Sequence, residues 1–349
     1  MQSAKNFLDL EKTDLEAWCQ DQGLPKFRAK QLYQWQSKGL DDFSALANLP
    51  LDLRTKLSET FWPGLPKIRQ VQRSKLSESQ KYLFAYPDGE TIEAVLMFHH
   101  YGMSACLSSQ IGCRMACRFC ASTGLALKRN LSRGDLLGQF LALEDHAGQA
   151  ISNLDLMGIG EPLDNYTEVL AFIRRLLAPD FRNFSVRRIS LSTCGLIDKI
   201  YALAAEGLGL TLAISLHAPD QALREAIMPV AKNNPLPDLL EAADFYFEQT
   251  GRRVSYEYAL FAGINDSLDQ AKALAKLLTG RKCHVNLIPA NAVEHSPFQA
   301  TTPAQVQAFA KMLERQGINA TVRRSLGQDI DAACGQLRRR NLLAGPAGK

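Results

Sequence analysis

Three cysteines crowd into Cys113-Arg-Met-Ala-Cys117-Arg-Phe-Cys120. Thiolates so closely spaced suit an iron–sulfur cluster, and a 4Fe–4S cube normally takes four. The next cysteine downstream is Cys194, so one iron is left for a ligand that is not protein. The amino and carboxylate groups of S-adenosylmethionine (SAM) can chelate it. A reduced cluster in that position can pass an electron to the sulfonium and release a 5′-deoxyadenosyl radical. The plainer alternative is structural zinc, but such sites usually use paired knuckles, and no second pair is present. The other cysteines are Cys19, Cys106, Cys283 and Cys334. In a reducing compartment the close triplet points to metal or redox chemistry rather than to a disulfide framework.

Further polar clusters follow. Met157-Gly-Ile-Gly160-Glu161-Pro162 alone would be an ordinary turn. In it, Gly160 permits close backbone approach and Glu161 can accept a hydrogen bond. Ser192-Thr193, Ser215-Leu216-His217 and Asn286 stand at the ends of apolar runs; His217 or Asn286 in isolation would be a satisfied strand-end histidine and a turn former. The runs are expected strands, at 154–158, 188–192, 210–216, 254–260, 285–288 and 320–323. Helical patterns fit between them, at 166–177, 237–249, 268–278 and 304–316. Strand–helix alternation predicts a parallel sheet with helical crossovers, and six units suit an open, partial (β/α)6 barrel in an α/β chain. Ligands bind at the carboxyl ends of such strands. Upstream, residues 1–65 read as a helical accessory domain. Residues 66–100 read as a small β-hairpin extension, 81–86 and 91–98 joined by Pro87-Asp-Gly-Glu. The barrel with its C-terminal loop spans 101–343, and 344–349 reads as a disordered tail.

The triplet resembles the Cys-x3-Cys-x-aromatic-Cys signature of the radical SAM superfamily, with Phe119 in the aromatic place. From about residue 90 to 340 the chain resembles, more specifically, the RlmN/Cfr family of radical SAM RNA adenine methyltransferases. The matching stretches include Cys106-Leu-Ser-Ser-Gln-Ile-Gly-Cys113, Leu191-Ser-Thr-Cys-Gly195, Val285-Asn-Leu-Ile-Pro289 and Asp329-Ile-Asp-Ala-Ala-Cys-Gly-Gln-Leu337. The last is the most discriminating, and Pro162 favours the RlmN branch. The resemblance implies one 4Fe–4S cluster on Cys113, Cys117 and Cys120, and SAM held by Gly160, Glu161, Ser192, Ser215, Leu216, His217 and Asn286. It makes Cys334 the methyl carrier, Cys106 its resolving partner and Glu93 the proton acceptor. It further implies two SAM consumed per turnover. One methylates Cys334; the other yields the radical that takes a hydrogen from that methyl group. The carbon radical adds to carbon 2 of adenine, a position too electron-poor to attack SAM itself. Glu93 takes the ring proton, and Cys106 attacks the Cys334 sulfur, leaving a disulfide to be reduced. Cys19, Cys194 and Cys283 match no role and read as buried small hydrophobes.

The implied substrates are 23S ribosomal RNA and tRNA, with an electron donor such as flavodoxin and its reductase. A net charge of +4 from 40 basic and 36 acidic residues neither demands nor excludes RNA, so local clusters decide. These are Lys26-Phe-Arg28-Ala-Lys30 with Tyr33 and Trp35, Lys128-Arg129, Arg187-Arg188, Arg323-Arg324 and Arg338-Arg-Arg340. With no signal peptide and no apolar run of about eighteen residues, the expectation is a cytoplasmic monomer that does not engage membranes. Two other readings compete: methylation at carbon 8, as in Cfr, and a non-catalytic Fe–S or RNA-binding protein. Glu93, Cys106 and Cys334 speak against the latter, because binding alone needs none of them.

Overall fold

The computed structural model describes residues 4–290, 297–323, 329–330 and 335–343; Cys334, Arg324 and the tail 344–349 lie outside them. Strand β1 (Lys5–Asn6) leads into α1 (Lys12–Asp21), α2 (Phe27–Gln36) and α3 (Leu51–Thr60), and β2 (Phe61–Trp62) returns parallel to β1. A reciprocal Glu11–Asp14 capping box starts α1, and Leu15 and Cys19 bury one turn apart on its inner face. Buried Gln36 is satisfied because its amide donates to the carbonyls of Phe7 (2.8 Å) and Leu10 (2.9 Å). This helical unit docks on the start of a long helix of the main domain, α4 (Arg133–Ala147). There the Gly134 N–H donates to Asp9, and Arg133 donates to the Leu8 carbonyl at 3.1 Å.

Strands β3 (Lys67–Arg73), β4 (Ser79–Ala85), β5 (Thr91–His99) and β6 (Gly102–Cys106) form an antiparallel meander. Two short strands, β7 (Gln110–Ile111) and β8 (Arg129–Asn130), pair beyond it. The chain then alternates through α4, β9 (Ile151–Leu156), α5 (Tyr166–Leu177), β10 (Ile189–Thr193), α6 (Ile197–Ala205), β11 (Thr211–Ser215), α7 (Gln221–Ile227), α8 (Leu236–Thr250) and β12 (Val254–Leu260). It continues with α9 (Leu268–Leu278), β13 (Cys283–Pro289), α10 (Pro303–Arg315), β14 (Ala320–Val322) and α11 (Gln336–Leu343). Ten strands make one sheet in the order β14-β13-β12-β11-β10-β9-β6-β5-β4-β3. From β6 through β14 all neighbours are parallel.

All six expected strands are present, but β6 stands before them as the first parallel strand. Its five residues, Gly-Met-Ser-Ala-Cys, have weak strand propensity; pairing with β5 on one side and β9 on the other makes it a strand. Six strand–helix units therefore run from β6 to α10, and β14 closes the series. The expected hairpin is the centre of the meander, and the meander is continuous with the barrel sheet. Its outer strand β3 is polar and exposed, the composition that keeps a sheet edge from pairing with another chain.

Alternation along the parallel strands divides the sheet. Leu154, Leu156, Leu191, Leu212, Ile214, Tyr256, Val285 and Leu287 are buried on the helix-covered face. Ser192, Ser215, Glu257 and Asn286 occupy the opposite parity, and the registers place Ser215 beside Glu257 and Glu257 beside Asn286. A strand period of two thus sends one set to the core and the other to the site.

Candidate active site

The cysteine triplet sits on a loop whose base is clamped by the β7–β8 pair, with Lys128 N–H donating to the Ile111 carbonyl at 2.8 Å. Inside the loop, Cys120 N–H turns back onto the Cys117 carbonyl (3.1 Å), and Arg118 N–H bonds the Ile227 carbonyl (2.9 Å). Cys113, Cys117 and Cys120 all line one cavity of about 420 Å³. Burial pushes the Cys113 thiol up to about 12 and raises Cys117 as well; a bound cation favours the thiolate forms. Among the described residues no three His, Cys, Asp or Glu side chains converge as ligands of a single ion. The assignment therefore rests on the donor set: three soft sulfurs from one loop facing one cavity, which fits an iron–sulfur cluster.

The same cavity is lined by Gly160, Glu161, Ser192, Ser215 and His217, from the ends of β9, β10 and β11. Gly160 has φ +107°, and a Cβ there would lie 2.7 Å from the Gln110 Cβ and 2.8 Å from its backbone nitrogen. Its lack of a side chain is needed for close approach of two protein loops. Glu161 is buried, and its two carboxylate oxygens accept from the N–H groups of Leu163 (3.0 Å) and Cys194 (2.7 Å). Burial raises its pKa, with the Cys194 bond pulling against it. In this structure Glu161 thus ties the loop after β9 to the end of β10. His217 takes a left-handed φ of 57° and its Nδ1 accepts from Ala259 N–H at 2.9 Å. With Nδ1 accepting, the proton belongs on Nε2. Burial depresses its pKa to about 3, and Phe119 packs edge-on at 4.8 Å. Leu216 is fully buried. Asn286 donates to Glu257 Oε2 at 2.7 Å, and Glu257, not the asparagine, forms the cavity wall there.

Glu93 on β5 is buried. Its Oε2 accepts from Gly335 N–H (2.7 Å) and pairs with the Lys81 ammonium (2.9 Å), while Oε1 accepts from Arg338 N–H (2.6 Å). Cys106 on β6 lines the cavity and pairs in register with Val95, which pairs with Lys81 on β4. Lys81, Val95 and Cys106 therefore form one row across three strands on a single face, with Glu93 in the adjacent row. Cys334 precedes Gly335, but its own position is outside the described residues.

Three contributors escaped the sequence reading. Lys81 and Glu257 carry charges at strand positions of inward parity, a signal that alternation alone could have raised. Arg224 on α7 is fully buried and donates to the carbonyl of Cys194 at 2.7 Å; no described carboxylate pairs with it, and nothing in its local sequence sets it apart.

Two family models match, one described as "Ribosomal RNA large subunit methyltransferase N-terminal domain" at residues 5–62 and one as "Radical SAM superfamily" at 107–276. A Clostridium beijerinckii protein named "Probable dual-specificity RNA methyltransferase RlmN" is 44% identical over 334 residues, 96% of this chain and 95% of its own. The chain belongs to the RlmN family of radical SAM RNA methyltransferases. A Lachnoclostridium phytofermentans protein of the same name is 46% identical over 97% of this chain and 96% of its own. The crystal structure of a radical SAM methyltransferase from Sphaerobacter thermophilus superimposes with a TM-score of 0.90 at 39% identity, covering 95% of this chain and 98% of that one. As an RlmN-family radical SAM protein, the chain uses a 4Fe–4S cluster and SAM. When bound, this pair supplies a one-electron route to a carbon-centred radical.

Among the described basic clusters, Lys26, Lys30, Lys128, Arg187, Arg188 and Arg340 are exposed. Arg338 is not available to phosphate, contrary to expectation: it is buried and pairs with Glu90 at 3.1 Å, because its backbone is drawn inward onto Glu93. Arg129 is likewise paired, to Asp88 and Asp135, and Tyr33 is covered by the Arg175 guanidinium at 4.0 Å.

Proposed function

We propose that this RlmN-family methyltransferase methylates carbon 2 of an adenine in 23S ribosomal RNA and in tRNA. It acts in the cytoplasm as a monomer fed with electrons by a flavodoxin-type donor. One observation carries the reading: the Glu93 carboxylate is bonded to Gly335, the residue after Cys334, on the sheet face that also bears Cys106. The relatives' name, dual-specificity RNA methyltransferase, supports two classes of RNA. Cys113, Cys117 and Cys120 hold the cluster; Gly160, Glu161, Ser192, Ser215 and His217 form the SAM side, supported by Leu216 and by Asn286 through Glu257. Bound there, the cluster and SAM would supply the one-electron redox chemistry that the reaction needs.

Cys334 accepts a methyl group from one SAM, its thiolate acting as nucleophile. It then presents that methyl group for hydrogen abstraction and carries the carbon that joins the base. Glu93 takes the proton from the ring carbon. Cys106 attacks the Cys334 sulfur, forming a disulfide and releasing the carbon as a carbanion, which a proton converts to the new methyl group. Disulfide formation requires the two α-carbons within about 7 Å at that stage.

The test separates the two cysteines. Cys334→Ala should keep cluster and SAM binding but transfer no methyl group. Cys106→Ala should accumulate a covalent protein–RNA adduct, seen as an RNase-sensitive band on a denaturing gel. Normal release of methylated RNA by Cys106→Ala would remove Cys106 from the mechanism. Mass spectrometry of wild-type product showing methylation at carbon 8 would overturn the regiochemistry.

A further inference from the structure

Lys81 is the one charged side chain of β4 set into the wall of the active cavity. Its side chain is 1% exposed and its ammonium stands 2.9 Å from Glu93 Oε2, itself 3% exposed. A lysine is almost never buried so fully without a specific partner, and breaking such a pair leaves a stranded charge. The pair is also placed unevenly. Lys81 faces the cavity, whereas the Glu93 carboxylate is turned toward the backbone N–H groups of Gly335 and Arg338. Substrate-facing space and carboxylate are therefore joined through the ammonium.

Taking the proposed function as given, we infer that Lys81 is a positioning residue for Glu93 in the proton-removal step. Both Glu93 oxygens are occupied by N–H groups of the segment that follows Cys334. For Glu93 to reach the ring carbon, one of its backbone bonds to the 335–338 segment must yield. Lys81 is anchored in the sheet, hydrogen-bonded β4 to β5, and is not part of that segment. It holds the carboxylate at the cavity wall while the other contacts change. In the step itself, the ring C–H bond breaks, an O–H bond forms on Glu93, and the C–H electron pair returns to the ring. A charge-assisted contact between two side chains this deeply buried orients the acceptor with little reorganisation.

The experiment uses anaerobic holoenzyme and an RNA fragment whose target adenosine carries either hydrogen or deuterium at carbon 2. Glu93→Gln is the reference and should hold the covalent adduct. If it instead releases methylated RNA at the wild-type rate, the proposed function fails, whatever Lys81 does. With that reference in place, Lys81→Gln should retain cluster absorbance and single-turnover 5′-deoxyadenosine formation. It should release methylated RNA ten- to a hundredfold more slowly, with a larger deuterium effect than the wild type. The double variant should be no slower than Glu93→Gln alone, because a residue acting only through Glu93 adds nothing once Glu93 is gone. Lys81→Met, close to lysine in volume, serves the same comparison if glutamine perturbs the fold. Wild-type release with an unchanged isotope effect, or additive losses in the double variant, would overturn the role of Lys81.

Discussion

At the residue scale, the site combines groups that burial holds away from their ordinary protonation behaviour. His217 is the sharpest case: desolvation depresses it to about 3, and its Nδ1 is engaged by Ala259 N–H. Unfolded, a histidine titrates near 6.5. Between about pH 6.5 and 3 the unfolded chain takes up a proton that the native chain refuses, so stability is full above 6.5 and declines as pH falls through this window. His217→Asn removes the titration while tolerating the left-handed backbone better than most residues. Its melting temperature should fall less steeply than wild type between pH 6.5 and 4.5. Buried Glu161 and Glu257, both raised, act in the opposite direction but are common to both proteins and cancel. Identical slopes would show that His217 does not set the acid limit.

At the element scale, the cavity depends on loops held against each other at the carboxyl ends of β6, β9 and β10. The loop before the cysteines passes so close to Gly160 that Ser109 N–H and Gln110 N–H both point at the Ile159 carbonyl, at 2.8 and 3.2 Å. Glu161 N–H in turn donates to Gln110 Oε1 at 2.8 Å. Gly160→Ala would force a Cβ into the Gln110 backbone at a φ that costs about 1–3 kcal/mol for other residues, with crowding added. The expected result is a melting temperature lower by a few degrees together with weaker SAM binding, since both loops must part. Weakened SAM binding with an unchanged melting temperature would instead mean that Gly160 is needed by the ligand and not by the fold.

At the scale of the whole molecule, the helical N-terminal unit and the barrel share one hydrophobic core, so an RNA held by the former would be presented to the latter at fixed geometry. Lys26 and Lys30 are exposed on α2 and just before it, and Arg28 between them donates to Gln31. Reversing all three charges should weaken RNA binding and flatten its salt dependence by roughly two units, at about 0.7–0.9 per lost phosphate contact. The cluster spectrum and melting temperature should not change. An unaltered slope would place the RNA surface elsewhere. No helix among the described residues is long and apolar enough to cross a membrane.

Much of the site was legible along the chain because its chemistry is local. The cysteine triplet, Gly160-Glu161 and Ser215-Leu216-His217 each occupy one loop, and strand–helix periodicity predicts that those loops meet at one end of a parallel sheet. Helices 166–177 and 268–278 match the structure at both ends for the same reason: their apolar spacing is sustained over three turns. Only the tertiary structure decided the remainder. Strand β6 is too short and too small-sided to declare itself, and it exists because β5 and β9 flank it. Lys81 meets Glu93 across antiparallel strands, Glu93 meets Gly335 across 242 residues, and Arg338 is drawn from an apparent basic cluster into the interior. Such contacts are fixed by register and by burial, and a buried charge reveals its purpose only through the partner that offsets its loss of water.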